Sequence, residues 1–227
     1  MKTAILLPTA FVTTSSDRPD RDTRISQYIN GFNKISEFIS KHPELNLDVY
    51  VVDSTVENED SIDPLLNQSI NSIKNLKGKF YFINNEYGKI NKGAGLIVQW
   101  KYALSKIGDQ YDYVIHFEPR QRLTDFSFFE RFVANPQNYA RSWFPKAKKF
   151  KVIPITLSQI LTGMIALNRN DLEKYCNSVD LDKMVRNRIS IEDDIYKFLT
   201  ENNIKFEHVD KLGISWHDVA NDIYVDL

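Results

Sequence analysis

Asp112-Tyr113-Val114-Ile115-His116-Phe117-Glu118-Pro119-Arg120-Gln121 is a short apolar run that ends in a carboxylate, a proline, a guanidinium and an amide. Tyr113 to Phe117 has the aromatic and β-branched content of a strand. Short strands that are apolar throughout belong to sheets buried on both faces, which are mostly parallel. In such sheets ligands collect beyond the carboxyl ends of the strands, so this charged tail marks a candidate site.

Working outward, further strands are expected at Thr3–Leu7, ending where Pro8 removes a donor, at Leu47–Val52, at Lys79–Ile83 and at Leu161–Leu167, with a late one at 206–209. Residues 13–22 read as loop. Ile25, Tyr28, Ile29, Phe32, Ile35, Phe38 and Ile39 recur at helical spacing, so an amphipathic helix follows. More helices are expected at 62–76, from Gly95 through Leu104, at 169–175 and at 190–199, with Asn84–Gly95 as a polar loop. The alternation argues for an α/β fold with a mostly parallel sheet flanked by helices. From about residue 124 an aromatic stretch (Phe126, Phe128, Phe129, Phe132, Trp143, Phe144, Phe150) has no clear period.

With 227 residues, 42% of them hydrophobic, the chain fills one large core, and no low-complexity linker divides it. A formal net charge of -1 gives no global drive toward nucleic acid or an anionic membrane. The single cysteine, Cys176, excludes an intramolecular disulfide and fits a reducing, cytoplasmic location. The apolar run Ala4–Val12 reads as a core strand rather than a signal peptide, because Pro8 interrupts it and no cleavage site follows. No segment approaches the about 20 apolar residues of a membrane span.

Four strand-end segments carry candidate chemistry. Val51-Val52-Asp53-Ser54-Thr55 ends in an acceptor-only carboxylate, suited to a nucleobase N–H or to capping the next loop. Asn85 to Gly95 brings Gly88, Gly93 and Gly95 together with Lys89 and Lys92 before a helix N-terminus, a pattern for a diphosphate or for a solvated turn. Glu118-Pro119-Arg120 is either a phosphate-facing or a structural pair. Ile191-Glu192-Asp193-Asp194 sets acids in the first turn of a helix, where the macrodipole alone favours them.

In this order the segments resemble the GT-A-type nucleotide-sugar glycosyltransferases, most of all the large inverting family (family 2-like), over residues 3 to 217. The resemblance implies a GT-A-like single domain with a twisted, Rossmann-like sheet, a nucleotide-binding half at about 1–123 and an acceptor and catalytic half at about 124–227. It implies a sugar moved from a nucleotide-sugar donor to a hydroxyl of a glycan or glycolipid, with Asp193 as catalytic base and Glu192 as second choice. Donor binding would fall to Pro8, Thr9, Asp53, Lys89, Lys92, Gly93, Glu118, Arg120 and Arg122, and acceptor binding to Gly163, Met164 and Trp216. The family's Asp-x-Asp, which holds Mg²⁺ or Mn²⁺, reads Glu118-x-Arg120 here; a guanidinium repels an ion, so the expectation is charge neutralisation by Arg120. Glu118 and His217 remain the weak metal candidates. Pro145–Phe150 is basic and would suit an anionic acceptor, nucleic acid included, or form a solvated loop. The rivals are a nucleotidyltransferase, whose N-terminal glycine-rich signature is replaced here by Pro8-Thr9-Ala10-Phe11, and a catalytically inactive nucleotide- or glycan-binding module.

Overall fold

The switch in strand order between the first and fourth strands positions everything that follows. The computed structural model describes residues 1–12, 19–45, 47–143, 159–218 and 223–227. Strand β1 (Thr3–Thr9) leads to helix α1 (Arg21–Lys41), β2 (Leu47–Asp53), α2 (Asn67–Asn75) and β3 (Lys79–Phe82). A short α3 (Glu86–Ile90) and the long α4 (Lys92–Ile107) precede β4 (Tyr113–Phe117). Then come β5 (Arg122–Leu123), α5 (Ser127–Ala134), β6 (Tyr139–Ala140), β7 (Ser142–Trp143), β8 (Gln159–Ile160) and β9 (Met164–Asn168). The chain finishes through α6 (Arg169–Ser178), α7 (Leu181–Arg186), α8 (Ile191–Glu201), β10 (Glu207–His208), β11 (Ile214–Asp218) and β12 (Ile223–Asp226).

Among the described residues seven strands form one mostly parallel sheet in the order β10-β6-β9-β4-β1-β2-β3. β1 pairs in parallel with β2 on one side and β4 on the other, and β9 runs antiparallel to β4. The chain therefore winds one way from β1 to β3 and the other way from β4, which opens a crevice between the carboxyl ends of β1 and β4. Alternate residues of β1 serve the two faces. Ile5 and Leu7 join the core under α1, α2 and α5, while Ala4 and Leu6 join the one under α4, α6 and α8. Burial on both sides is why the strand reads as continuously apolar.

Several boundaries differ from the sequence expectation. β1 runs through Pro8 to Thr9, because its pairing with β4 stops at Leu6 and only β2 continues alongside. Beyond a partner's end a missing donor costs nothing. The helix expected at 62–76 starts at Asn67, after a turn at Pro64–Leu66 capped by Asp63. The expected loop at 84–95 is largely helical: Asn85 caps α3 and Asn91 caps α4 through their side-chain oxygens. The aromatic stretch contains α5, which buries Phe128, Phe129 and Phe132. Leu161–Gly163 is a turn, and the strand begins at Met164. The 145–150 segment lies outside the described residues.

One packing contact fixes the loop after β4. A Cβ on Gly31, in the middle of α1, would meet the Pro119 carbonyl carbon at 2.7 Å and its Cα at 2.9 Å. Glycine there lets the Glu118–Gln121 turn seat directly on the helix.

Candidate functional site

The crevice at the switch point is a cleft of about 510 Å³. Pro8, Thr9 and Ala10 line it from the end of β1, and Glu118 and Arg120 from the end of β4. The floor is held rigidly. Gln99 of α4 donates through Nε2 to the carbonyls of Thr9 and Val52, both at 2.7 Å, and the Tyr28 hydroxyl accepts from Ala10 N at 2.8 Å. Arg24 Nη1 donates to Ala10 O at 2.9 Å.

Two helix N-termini form the far wall. Asn91, Lys92 and Gly93 of the α4 start and Ser190, Ile191 and Glu192 of the α8 start all line the cleft. They touch because Gly93 has no side chain: a Cβ there would lie 2.8 Å from Ile191 Cβ and 2.9 Å from Met184 Cε. Asn91 ties the same junction, accepting from Ala94 N at 3.0 Å and donating through Nδ2 to Ile189 O at 3.2 Å. First-turn N–H groups and aligned peptide dipoles make each start electropositive. Lys92, Arg120 and Arg188 add three cations to this cleft against the carboxylates of Glu118 and Glu192, with Arg120 lying 3.4 Å from Glu118. Such a wall suits a diphosphate.

A second cavity of about 600 Å³ adjoins the first. Glu118, Arg120, Thr162, Ser190 and Glu192 line both. Glu192 stands at this junction, where its Oε1 accepts from the Thr162 hydroxyl at 3.0 Å. Asp193, the base expected from the sequence, faces elsewhere. It serves the start of α8, accepting from the N-cap Ser190 hydroxyl at 3.0 Å while its own N–H donates to Ser190 Oγ at 3.2 Å, and it lines neither cavity. One helix step of about 100° separates the two acids, so the second choice, Glu192, is the one exposed to the junction.

The other expected residues divide in the same way. Pro8, Thr9, Lys92, Gly93, Glu118 and Arg120 line the first cleft, and Gly163 and Trp216 the second. Asp53 does not reach either. Its carboxylate is fully buried and accepts from Phe11 N at 2.9 Å, Thr55 N at 2.6 Å, Thr55 Oγ1 at 2.8 Å and Val56 N at 2.9 Å, which uses its acceptor capacity on loop capping. Lys89 is exposed on α3 and pairs with Glu86 at 2.7 Å, away from the cleft. Arg122, on β5, points across β11 toward the Tyr224 ring on β12, 6.0 Å from its centroid. Met164 is fully buried on β9 opposite Phe117, a core residue rather than an acceptor contact. His217 belongs to β11, and its side chain lies outside the described residues.

Among the described residues the donors around Glu118 do not gather as a divalent ion requires. Glu118 Oε2 sits 3.4 Å from Arg120 Nη2 and accepts from Gln121 Nε2 at 3.3 Å. Among the described residues no three His, Cys, Asp or Glu side chains converge as an ion requires. Sequence reading passed over Arg188, Thr162 and Gln99, and placed Gln121 in the tail of β4 without giving it a role. Arg188 stands in an unremarked turn, but Ser190-x-x-Asp193 is a capping-box signature that would have assigned Asp193.

Behind the site, His116 on β4 is buried, with Trp100 Nε1 donating to its Nδ1 at 3.1 Å. Its Nε2 therefore carries the ring hydrogen and faces the Thr162 main chain without good hydrogen-bond geometry. Burial pushes its pKa down to about 4, against a smaller opposing pull from Glu118. Cys176 is buried in the core, which pushes its thiol up to about 12, so it is packing rather than a nucleophile. Among the described residues no helix is long and apolar enough to cross a membrane.

Neither a protein-family model nor a curated protein matches the chain. Solved structures do match it. The nucleoside-diphosphate-sugar pyrophosphorylase from Vibrio cholerae is 10% identical over 90% of this chain and 90% of its own, with a TM-score of 0.53. The galactosyltransferase LgtC, solved with donor and acceptor sugar analogues, is 13% identical over 88% of this chain and 70% of its own, at 0.49. The 4-diphosphocytidyl-2C-methyl-D-erythritol synthase from Anaerococcus prevotii is 11% identical over 92% and 86%, at 0.47. What the chain shares with the first of these is its fold, a mostly parallel α/β sheet of GT-A-like form.

Proposed function

We propose that this protein is a glycosyltransferase that moves a sugar from a nucleotide-sugar donor to an acceptor hydroxyl in one inverting displacement. The observation that carries the reading is the pair of adjoining cavities with the Glu192 carboxylate at their shared wall. A plain nucleotide binder needs only the first cavity, and a nucleotidyltransferase takes a phosphorylated second substrate, which the carboxylates of Glu118, Glu192 and Asp226 in the second cavity disfavour.

The nucleoside diphosphate occupies the switch-point cleft, with its phosphates toward Lys92, Arg120, Arg188 and the starts of α4 and α8. Its sugar reaches the junction. An acceptor hydroxyl enters from the second cavity, and Glu192 takes its proton as the oxygen attacks the anomeric carbon. The bond from that carbon to the diphosphate breaks, and its electron pair leaves with the diphosphate. The cations and helix termini stabilise the charge that develops there. Thr162, donating to Glu192 Oε1, orients the carboxylate.

The test is turnover of a nucleotide-sugar panel, with hydrolysis as the slow surrogate for transfer. Glu192→Gln should lower turnover by roughly a hundredfold or more and leave nucleoside diphosphate binding within about twofold, with EDTA making no difference to binding. Asp193→Asn should cost stability and spare turnover. Full activity in Glu192→Gln, or binding that vanishes with EDTA, would sink the mechanism.

A further inference from the structure

The second cavity holds a group that the transfer step leaves unused. Gln121 is 7% exposed and lines that cavity. Its Nε2 donates to Glu118 Oε2 at 3.3 Å. A carboxylate only accepts, so the amide orientation is fixed, with Oε1 turned away from Glu118. Oε1 has no hydrogen-bond partner. The amide is also held from beneath, because a Cβ on Gly163 would collide with both of its polar atoms. Gly163 is itself anchored, accepting from Glu118 N at 3.0 Å. A rigid, buried acceptor left unpaired calls for a donor from a ligand.

The same cavity carries Trp216, 42% exposed, and Val225, its cross-strand partner on β12, 37% exposed. An indole beside polar groups suits a ligand with one apolar face and a rim of hydroxyls, as a pyranose ring has. Charge narrows the class. Among the described residues three carboxylates (Glu118, Glu192, Asp226) face two guanidiniums (Arg120, Arg141), and Arg120 is already paired with Glu118. Against these described groups a sugar phosphate, uronide or lipid phosphate would meet no positive surplus.

We propose that the second cavity binds a neutral glycoside, with its ring on Trp216 and one ring hydroxyl donating to Gln121 Oε1, so that Gln121 selects the acceptor. Its role as acceptor rests on the transferase reading above; its binding does not.

The experiment is saturation-transfer NMR with titration of the whole protein, with and without UDP and GDP. The probes are the methyl glycosides of glucose, galactose, xylose and N-acetylglucosamine, their monodeoxy derivatives, and glucose 6-phosphate. At least one neutral glycoside should bind, with saturation strongest on the C–H groups of one ring face. Trp216→Ala should weaken it at least tenfold, and Trp216→Phe should restore most of the loss. One monodeoxy derivative should bind about tenfold more weakly than its parent, and that difference should vanish in Gln121→Leu, or in Gln121→Met if the leucine variant does not fold. The proposal is overturned if no neutral glycoside binds, if glucose 6-phosphate binds more tightly, or if the deoxy difference survives in the Gln121 variants. Glycoside binding without any nucleoside diphosphate binding would keep this subsite and end the transferase reading; nucleotide binding alone would do the reverse.

Discussion

Arg188 shows at single-residue scale how a cleft is furnished against local preference. It sits at φ 50 after α7, in a Schellman turn in which Ile189 N donates to Met184 O at 3.0 Å and Arg188 N to Val185 O at 3.2 Å. Glycine is favoured there, since a side chain in the left-handed region costs roughly 1–2 kcal/mol. Lys77 occupies the same position after α2 at φ 63, remote from both cavities. Replacing either by glycine should therefore stabilise the protein by about 1 kcal/mol, read as a higher urea midpoint. Arg188→Gly alone should weaken nucleoside diphosphate binding, by roughly tenfold for a lost charge-assisted hydrogen bond. Equal affinities in the two variants would remove Arg188 from the phosphate wall. The backbone conformation was illegible in the sequence, because arginine gives no sign of a left-handed turn. The place of Glu118 and Arg120 at the cleft was legible, since a charged tail on an apolar strand falls at the carboxyl end of the sheet, but their role as phosphate-facing or structural pair was not.

At the scale of elements, α1 does more than cover the sheet. Its buried face was plain from the spacing of Tyr28, Phe32, Ile35 and Phe38, but nothing in that spacing singled out Gly31. The structure makes it the seat of the Pro119 turn. Gly→Ala inside a helix ordinarily stabilises by about 1 kcal/mol. Gly31→Ala should instead destabilise by about 1–3 kcal/mol, the usual range for overpacking, and loosen nucleotide binding by displacing Glu118 and Arg120. Denaturant titration and calorimetry check both. A stabilised variant with wild-type affinity would mean that the turn tolerates the shift. Strands β1, β2 and β4 were legible because burial on both faces leaves a continuous apolar run, and the half-buried edge strand β3 because of its aromatic residues. Helix α5 was not, since three of its eight residues are phenylalanine and mask the helical period. Asn85 to Gly95 was misread because two asparagine caps resemble loop composition.

Over the whole molecule, stability should respond to pH through His116, which is buried between the sheet and α4. Its folded pKa of about 4 lies below the usual 6.5, so the unfolded chain binds the proton first as pH falls. Its contribution is complete above about pH 6.5 and is lost on descending toward 4, about 2 kcal/mol by pH 5. That window lies above the carboxylate range, so urea unfolding at pH 7.5 and pH 5 isolates it. His116→Gln, which can still accept from Trp100, should flatten the slope; an unchanged slope would assign the loss to other groups. The acidic end of α8 illustrates the same point about legibility: its composition fits a plain helix start as well as a site, and only packing decides which carboxylate lines the cavities.

The five residues common to both cavities have a consequence for specificity. Whatever reshapes Thr162 or Glu118 to suit one occupant also alters the surface met by the other, and by linkage each occupant must change the affinity of its neighbour by the same factor. On the transferase reading proposed above, variants selected for a new donor would then drift in acceptor preference without a single substitution beyond that partition.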